Sequence, residues 1–547
     1  MAVLWGGNED RTLAHFFRLE NLGFKRAAVM SPAPLDVCLD IFGQQPRHSR
    51  LYTPICFGFT FDEDVDKESI APFLQNGFDR LVCGFPWLAG QVVRDGAGIY
   101  RIRHCDGKGG TPQLTVKDLR QQQTPSAVVA EYLSTGSSGI RASLLDEATL
   151  APCGTFHRPI TATTSGEPAA VPVFQLQANL VRGGLLLVAN GLHSCMDMAG
   201  QAQMLRLLAK ACRGEPFSAE DLATGNMPRR DILQPLVGLS DAELLRKPVN
   251  ESTPERENDN EGPTAAADSA TKDEVQSHSG NPSPTATSAA SLRWSTFIFS
   301  ASSLQALKAK ASEVIAMMEE REEGEEEQNT PSFISTDDAL TALLWRSITR
   351  SRVPRLSSAA SGPSTMLTRT VDARAYVAGL PRTYPGDAAF KVTSASSVAS
   401  LLDQPLGVIA AELRARLRPD EVRDGIRAHV TKITARGKAG MVKGGDVGGS
   451  SSVGNLNPSA GVNLSSWAKE PCYDFDFGGS SSGTDLRLGQ PTLVQRPVFI
   501  DKACESLVYF MPKRPNGDIA VLVCLCEEDM ERMQKEEELG RYGRYVE

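Results

Sequence analysis

Phe174–Cys212 reads FQLQANLVRGGLLLVANGLHSCMDMAGQAQMLRLLAKAC, and the fold turns on how this stretch is read. Phe174, Leu176, Ala178 and Leu180 alternate with Gln175, Gln177 and Asn179, the period of a half-buried strand. Arg182-Gly183-Gly184 supplies a tight turn, and Leu185–Ala189 is an unbroken apolar run, so the spacing predicts a hairpin into a buried strand. From Met198 the period changes: positions 198, 202, 205, 208 or 209, and 212 mark one face of a helix that Gly214 is placed to stop. His193 and Asp197 sit between strand and helix, four residues apart, where an imidazole can act as a base at a sheet edge.

Outward from this stretch, strands and helices alternate on both sides. Leu51–Phe61 is strand-like, and Ile70, Phe73, Leu74, Phe78 and Leu81 follow at helical spacing across Gly77. Pro86–Gly90 breaks that helix, with short strands expected at Gln91–Val93 and Tyr100–His104. Residues 250–290 are rich in Ser, Thr, Pro and charge and poor in large apolar side chains, so a disordered linker is expected there. Beyond it come a strand at Arg293–Phe299, a helix from Leu304, and a capping signal at Ser335–Asp338 ahead of another helix. Met366–Ala373 reads as a strand, the spacing of Leu406 to Leu417 as a helix, and the Gly- and Ser-rich residues 437–454 as a loop. Asn463–Phe477 reads as a strand interrupted by Pro471. Glu505–Met511 and Ile519–Cys526 read as an antiparallel pair, with a charged helix from Glu527. The plan is α/β in two halves, with an N-terminal domain over 1–223, a linker over 224–292 and a C-terminal domain over 293–547.

The net charge of −9 belongs to two tracts, 251–274 and 319–327, which carry −6 each and leave the remainder of the chain near +3. That remainder tolerates a phosphate-bearing ligand, and it has no basic and aromatic stripe of the kind nucleic-acid binders carry. The 11 cysteines include no CxxC pair, so neither a metal knuckle nor a disulfide framework is indicated. No apolar run reaches the roughly 20 residues of a membrane helix, and the N-terminus lacks a signal-peptide core. A cytoplasmic monomer is the expectation.

HxxxD by itself is a weak signal, and a satisfied histidine at a strand end is the plain alternative. A second series of motifs gives it company. Asp476-Phe477-Gly478 partly matches a DFGWG signature, and Pro86-Trp87-Leu88-Ala89-Gly90, Thr336–Ala342 with Trp345, Asp372-Ala373-Arg374, Tyr384-Pro385-Gly386, Ser465-Ser466-Trp467 and Gly517–Val521 occur in order. On these segments, which span most of the chain outside 106–150 and the insertions, the sequence resembles the BAHD acyltransferase superfamily, within it the fungal branch that includes trichothecene 3-O-acetyltransferases. The resemblance implies two chloramphenicol-acetyltransferase-like domains with mixed sheets and an active-site tunnel at their interface. Acyl-CoA, acetyl-CoA in the first instance, would enter as co-substrate from one side and a small hydroxylated acceptor from the other. By the same resemblance His193 would be the general base in a ternary complex, and Asp197 would be structural, paired with Arg374. Trp467 and Ser465 would both face the reacting carbonyl, the indole N–H or the hydroxyl stabilising the oxyanion, and Asp476, Phe477 and Gly478 would support the interface. A buried core aromatic is the alternative reading of Trp467. The residues that hold CoA are not assigned.

The chain departs from the family pattern at Gly479, where a Trp is usual, and at Asp387, where an Asn is usual. Two other functions stay open: N-acylation or a condensation-type reaction, and a non-catalytic acyltransferase-like binding protein. Condensation domains carry a second His before the motif and a Gly after its Asp, where this chain has Leu192 and Met198. Weaker candidate sites are the GxSxG match at Gly479–Gly483, Cys195 beside His193, and Lys438 and Lys443 as phosphate contacts.

Overall fold

The computed structural model describes residues 35–60, 67–104, 114–121, 140–156, 171–230, 232–233, 291–319, 331–356, 363–442, 460–478, 488–500 and 504–546. The linker expected at 250–290, the Glu-rich tract beyond Glu319, Lys443 and the GxSxG match lie outside these residues.

In the first half the chain forms β1 (Tyr52–Thr60), α1 (Ile70–Gly84), β2 (Phe174–Val181), β3 (Gly184–Leu192) and α2 (Met198–Cys212). β2 and β3 are the expected hairpin, closed by Gly183 at φ 73°, a conformation a Cβ disfavours. Every residue of β3 is buried, which is why it reads as a continuous apolar run and not as an alternation. β3 lies antiparallel to β1 with Leu192 opposite Tyr52, so His193 emerges beside Leu51. α1 and α2 pack together over this sheet. A Cβ on Gly77 would lie 2.3 Å from Cys212 Sγ, so this glycine, which costs the helix about 1 kcal/mol, permits the close approach. Lys210 is near the end of α2 and Gly214 follows it, as the stop signal predicts.

In the second half come β4 (Leu292–Phe299), α3 (Thr336–Leu356), β5 (Ser364–Asp372), β6 (Ala389–Ser397), β7 (Gly461–Ser466), β8 (Leu507–Phe510) and β9 (Ile519–Cys526). They form a seven-stranded sheet in the order β6-β5-β7-β8-β9-β4, with Gly543–Tyr545 at its edge. β7 is parallel to both β5 and β8, and the other pairings are antiparallel. The predicted cap of α3 is present: Ser335 Oγ accepts from Asp338 N at 3.2 Å, and Asp338 Oδ2 accepts from Ser335 N at 2.9 Å.

Two readings need correction. Residues 437–442 end a helix, Pro419–Val442, and not a loop; its apolar positions pack beside β6 and its Gly-rich tail hid it from a compositional reading. The strand expected over Asn463–Phe477 ends at Ser466. Glu470 N donates to Trp467 O, so the chain turns before Pro471 and continues as a 3-10 turn at Cys472–Asp474.

The halves are interlocked. Leu493–Gln495 pairs antiparallel with β1, Leu493 opposite Gly58, and so adds a strand from the second half to the five-stranded sheet of the first. One apolar core includes Phe57, Phe59 and Leu205 from the first half with Trp294, Phe475 and Phe477 from the second. α2 is therefore buried on more than the single face predicted: a Cβ on Gly200 would lie 2.2 Å from the carbonyl oxygen of Pro385. Among the described residues no helix is long and apolar enough to cross a membrane.

Candidate active site

β3 delivers His193 to the seam between the halves. His193 N donates to Leu51 O at 2.8 Å and Ser194 N to His48 O at 3.1 Å, which fixes the turn after the strand against the residues before β1. The imidazole is 24% exposed and faces a cavity. One wall of that cavity comes from Tyr52, Thr53, Thr155 and Ala199, the other from Thr368, Lys391, Ser465, Trp467 and Tyr509. A second cavity shares Ala199, Thr370, Asp372, Leu464, Ser466 and Glu470 with the first, so the two form one passage along the interface. Its walls carry Arg206, Arg369, Arg382, Arg414 and Lys469 against Asp337, Asp372 and Glu470, a basic balance.

The four residues after His193 lead into α2, and Asp197 is its N-cap, Oδ1 accepting from Gly200 N at 2.8 Å. Arg374 meets the same carboxylate from the second half, Nη1 to Oδ2 at 2.8 Å and Nη2 to Oδ1 at 2.9 Å. Ala388 N donates to Oδ2 at 2.8 Å. Four donors occupy both oxygens, so Asp197 fastens α2 to the second half and has no lone pair to spare for the imidazole.

Trp467 follows β7. Its ring is buried against Tyr509, and its Nε1 donates to Ser465 Oγ at 3.1 Å. The two residues predicted as alternative donors are thus a pair: the indole is a core aromatic and also fixes the serine hydroxyl, whose own proton is left for the cavity. Asp476, Phe477 and Gly478 line neither cavity. Asp476 Oδ1 accepts from Gly478 N at 2.8 Å, Arg213 at the end of α2 donates to Asp476 O, and Phe477 packs edge-on to Phe59. Cys195 is fully buried and its thiol is pushed up to about 12 by burial, which makes it a poor nucleophile. Lys438 falls within the helix Pro419–Val442.

Sequence reading noted Asp387 only as a departure and passed over His48. Both belong to the site. His48 Nδ1 lies 2.6 Å from Asp387 Oδ2, and the same oxygen is 3.6 Å from His193 Nδ1, an ion-pair distance longer than a hydrogen bond. The imidazole rings are tilted at 36° with centroids 4.4 Å apart. The His48–Asp387 separation is that of a proton-bridged pair, and His193 faces the same carboxylate oxygen at ion-pair distance. Burial pulls His193 down, but the Asp387 charge, with Asp197 behind it, outweighs burial and leaves the imidazole above its ordinary range. Burial holds His48 below that range. Burial works against ionised Asp387, yet the two imidazoles keep it well below the usual carboxylate range. At the junction of the cavities Glu470 is raised to about 7 by burial and then by Asp197 and Asp372.

Comparison with known proteins agrees along almost the whole chain. A model of the trichothecene 3-O-acetyltransferase-like N-terminal domain matches residues 51–212, and a Transferase family model matches residues 155–540. An O-acetyltransferase of Cryptosporiopsis sp. is 35% identical over 94% of this chain and 98% of its own length. A trichothecene 3-O-acetyltransferase of Fusarium sporotrichioides is 34% identical over 94% and 98%. The crystal structure of the F. sporotrichioides protein complexed with coenzyme A and T-2 superposes with a TM-score of 0.72 at 31% identity, covering 94% of this chain and 100% of that one.

Proposed function

The chain belongs to the Transferase family of acyltransferases, with the trichothecene 3-O-acetyltransferase-like N-terminal domain, and we propose that His193 is its general base. It is an O-acyltransferase that uses acyl-CoA as co-substrate, acetyl-CoA in the first instance, and acts on a hydroxyl of a small secondary metabolite. The observation that carries the assignment of roles is the facing of His193 on the first half and Ser465 on the second across one cavity.

The reaction follows from those positions. With Nδ1 turned to Asp387, His193 offers Nε2 to the cavity and removes the acceptor's hydroxyl proton as the oxygen attacks the thioester carbon. The carbonyl oxygen takes up the negative charge, and the Ser465 hydroxyl, aligned by the Trp467 indole, donates to it. Collapse of the tetrahedral species breaks the carbon–sulfur bond, and the CoA thiolate recovers the proton from the imidazolium. No acyl-enzyme is needed, since one passage brings both substrates to the same imidazole. The basic second cavity supports a place there for the CoA phosphates, with Arg382 and Lys469 nearest to solvent. Residues 1–223 and 293–547 then act as two domains sharing one site, with Leu493–Gln495 lent across the seam. A site completed within one chain supports function as a monomer, and the described cysteines, all free thiols, fit a reducing cytoplasmic setting.

The test is turnover of acetyl-CoA with a panel of hydroxylated and amine-bearing metabolites, followed by free thiol release and product mass. Esters of hydroxyl acceptors are expected. Amide products alone would move the chemistry to N-acylation, and acetyl-CoA binding without turnover on any acceptor would favour a binding protein.

A further inference from the structure

We propose that Asp387, clamped by His48, is the residue that positions His193 and balances its charge, a task the aspartate of HxxxD does not perform here. The proposal rests on His193 being the base. Asp197 spends its carboxylate on Gly200, Ala388 and Arg374. The carboxylate turned to the imidazole is Asp387, at 3.6 Å from Nδ1, and that nitrogen has no hydrogen bond to any described residue. Substrate binding commonly shortens contacts of this kind at a catalytic base.

A fully buried carboxylate must itself be held, and His48 does this. Its Nδ1–H donates to Oδ2 at 2.6 Å, while Ala389 N donates to Oδ1 at 3.1 Å. Behind the unit, Asp40 Oδ2 accepts from Tyr384 Oη at 2.8 Å and from Asp387 N at 3.2 Å. Asp40 is raised to about 7 by burial and then by the Asp387 charge, so the negative charge of the buried pair is concentrated on Asp387. Among the described residues, other charged groups facing the unit include Asp197, which acts on His193, Arg374, which donates to Gly386 O beside Asp387, Lys391, which lines the cavity and acts on His48, and Arg229, which acts on Asp40.

The chemical consequence differs from that of an amide at this position. A carboxylate accepts only, so it selects the His193 tautomer protonated at Nδ1 and leaves the Nε2 lone pair for the acceptor. It also stabilises the imidazolium that forms as the acceptor proton arrives. His48 and Asp387 do not line the cavity, so they are positioning residues.

The test is the pH dependence of kcat/KM for acetyl transfer in the wild type, Asp387→Asn and His48→Gln, with His193→Ala as control. Activity falls on the acid side as His193 becomes protonated, and the Asp387 charge holds that limb high. Asp387→Asn removes the charge at nearly constant shape, so the limb moves down by about one pH unit and the plateau drops about 100-fold. His48→Gln moves the limb in the same direction by less. Limbs that stay in place in both variants overturn the proposal, and if Asp387→Asn does not fold, an unmoved limb in His48→Gln overturns it alone. Turnover surviving in His193→Ala would instead overturn the assignment of the base.

Discussion

The charges of Asp197 and Asp387 both act on the His193 imidazole, and the two residues do different work. Asp197 caps α2 and receives the Arg374 fork, whose guanidinium side chain is wholly buried. Asp197→Ala would leave that buried cation only the part-exposed Asp372 carboxylate as counter-charge, and breaking such a buried pair costs up to about 3–5 kcal/mol. Lower soluble yield and a lower melting temperature are expected; a variant with wild-type melting and only a shifted pH–rate profile would show Asp197 tuning the base directly. Under the proposed mechanism Ser465 acts in the reaction itself. Ser465→Ala should lower kcat by about 10–100-fold with little change in KM for acetyl-CoA, because a donor aimed at the developing oxyanion acts on the transition state. Steady-state kinetics at saturating acceptor distinguish this from a binding defect, which would raise KM alone. At this scale the sequence was half legible. His193, Asp197, Arg374, Ser465 and Trp467 stand in recognisable motifs. His48 and Asp387 are 339 positions apart, and only the folded seam makes them neighbours.

The hairpin β2–β3 and helix α2 were readable because their apolar periods are strong and local. Pro419–Val442 was not, because its apolar face is interrupted by charge and its end by Gly and Lys. Leu493–Gln495 is three residues long, and its pairing with β1 is fixed by the tertiary fold, beyond the reach of any local pattern. α2 carries the sharpest element-level prediction. A Cβ on Gly200 would lie 2.2 Å from Pro385 O, a backbone atom that cannot swing away. Gly200→Ala therefore strains the seam that holds Asp197, and both the melting temperature and kcat should fall, by about 1–3 kcal/mol in stability. Unchanged thermal unfolding would mean that the two halves separate more freely than this packing implies.

At the scale of the molecule, function depends on two sheets being locked so that a passage runs between them. The shared core and the strand lent to the first sheet keep His193 and Ser465 in register. On the proposed reading, the basic balance of the second cavity gives the passage a direction, with the anionic co-substrate on that side. Replacing Arg382 and Lys469 together by Glu should raise KM for acetyl-CoA by about 10-fold, more at low salt, and leave kcat nearly unchanged. An equal rise in KM for the acceptor would reverse the direction assigned to the passage. The central claim is that one imidazole at the seam takes the acceptor's proton. It is tested most directly by measuring acetyl-CoA turnover and calorimetric CoA affinity together in His193→Ala. The account predicts turnover lower by at least about 1,000-fold with affinity preserved within a few-fold; turnover within 10-fold of the wild type would contradict it.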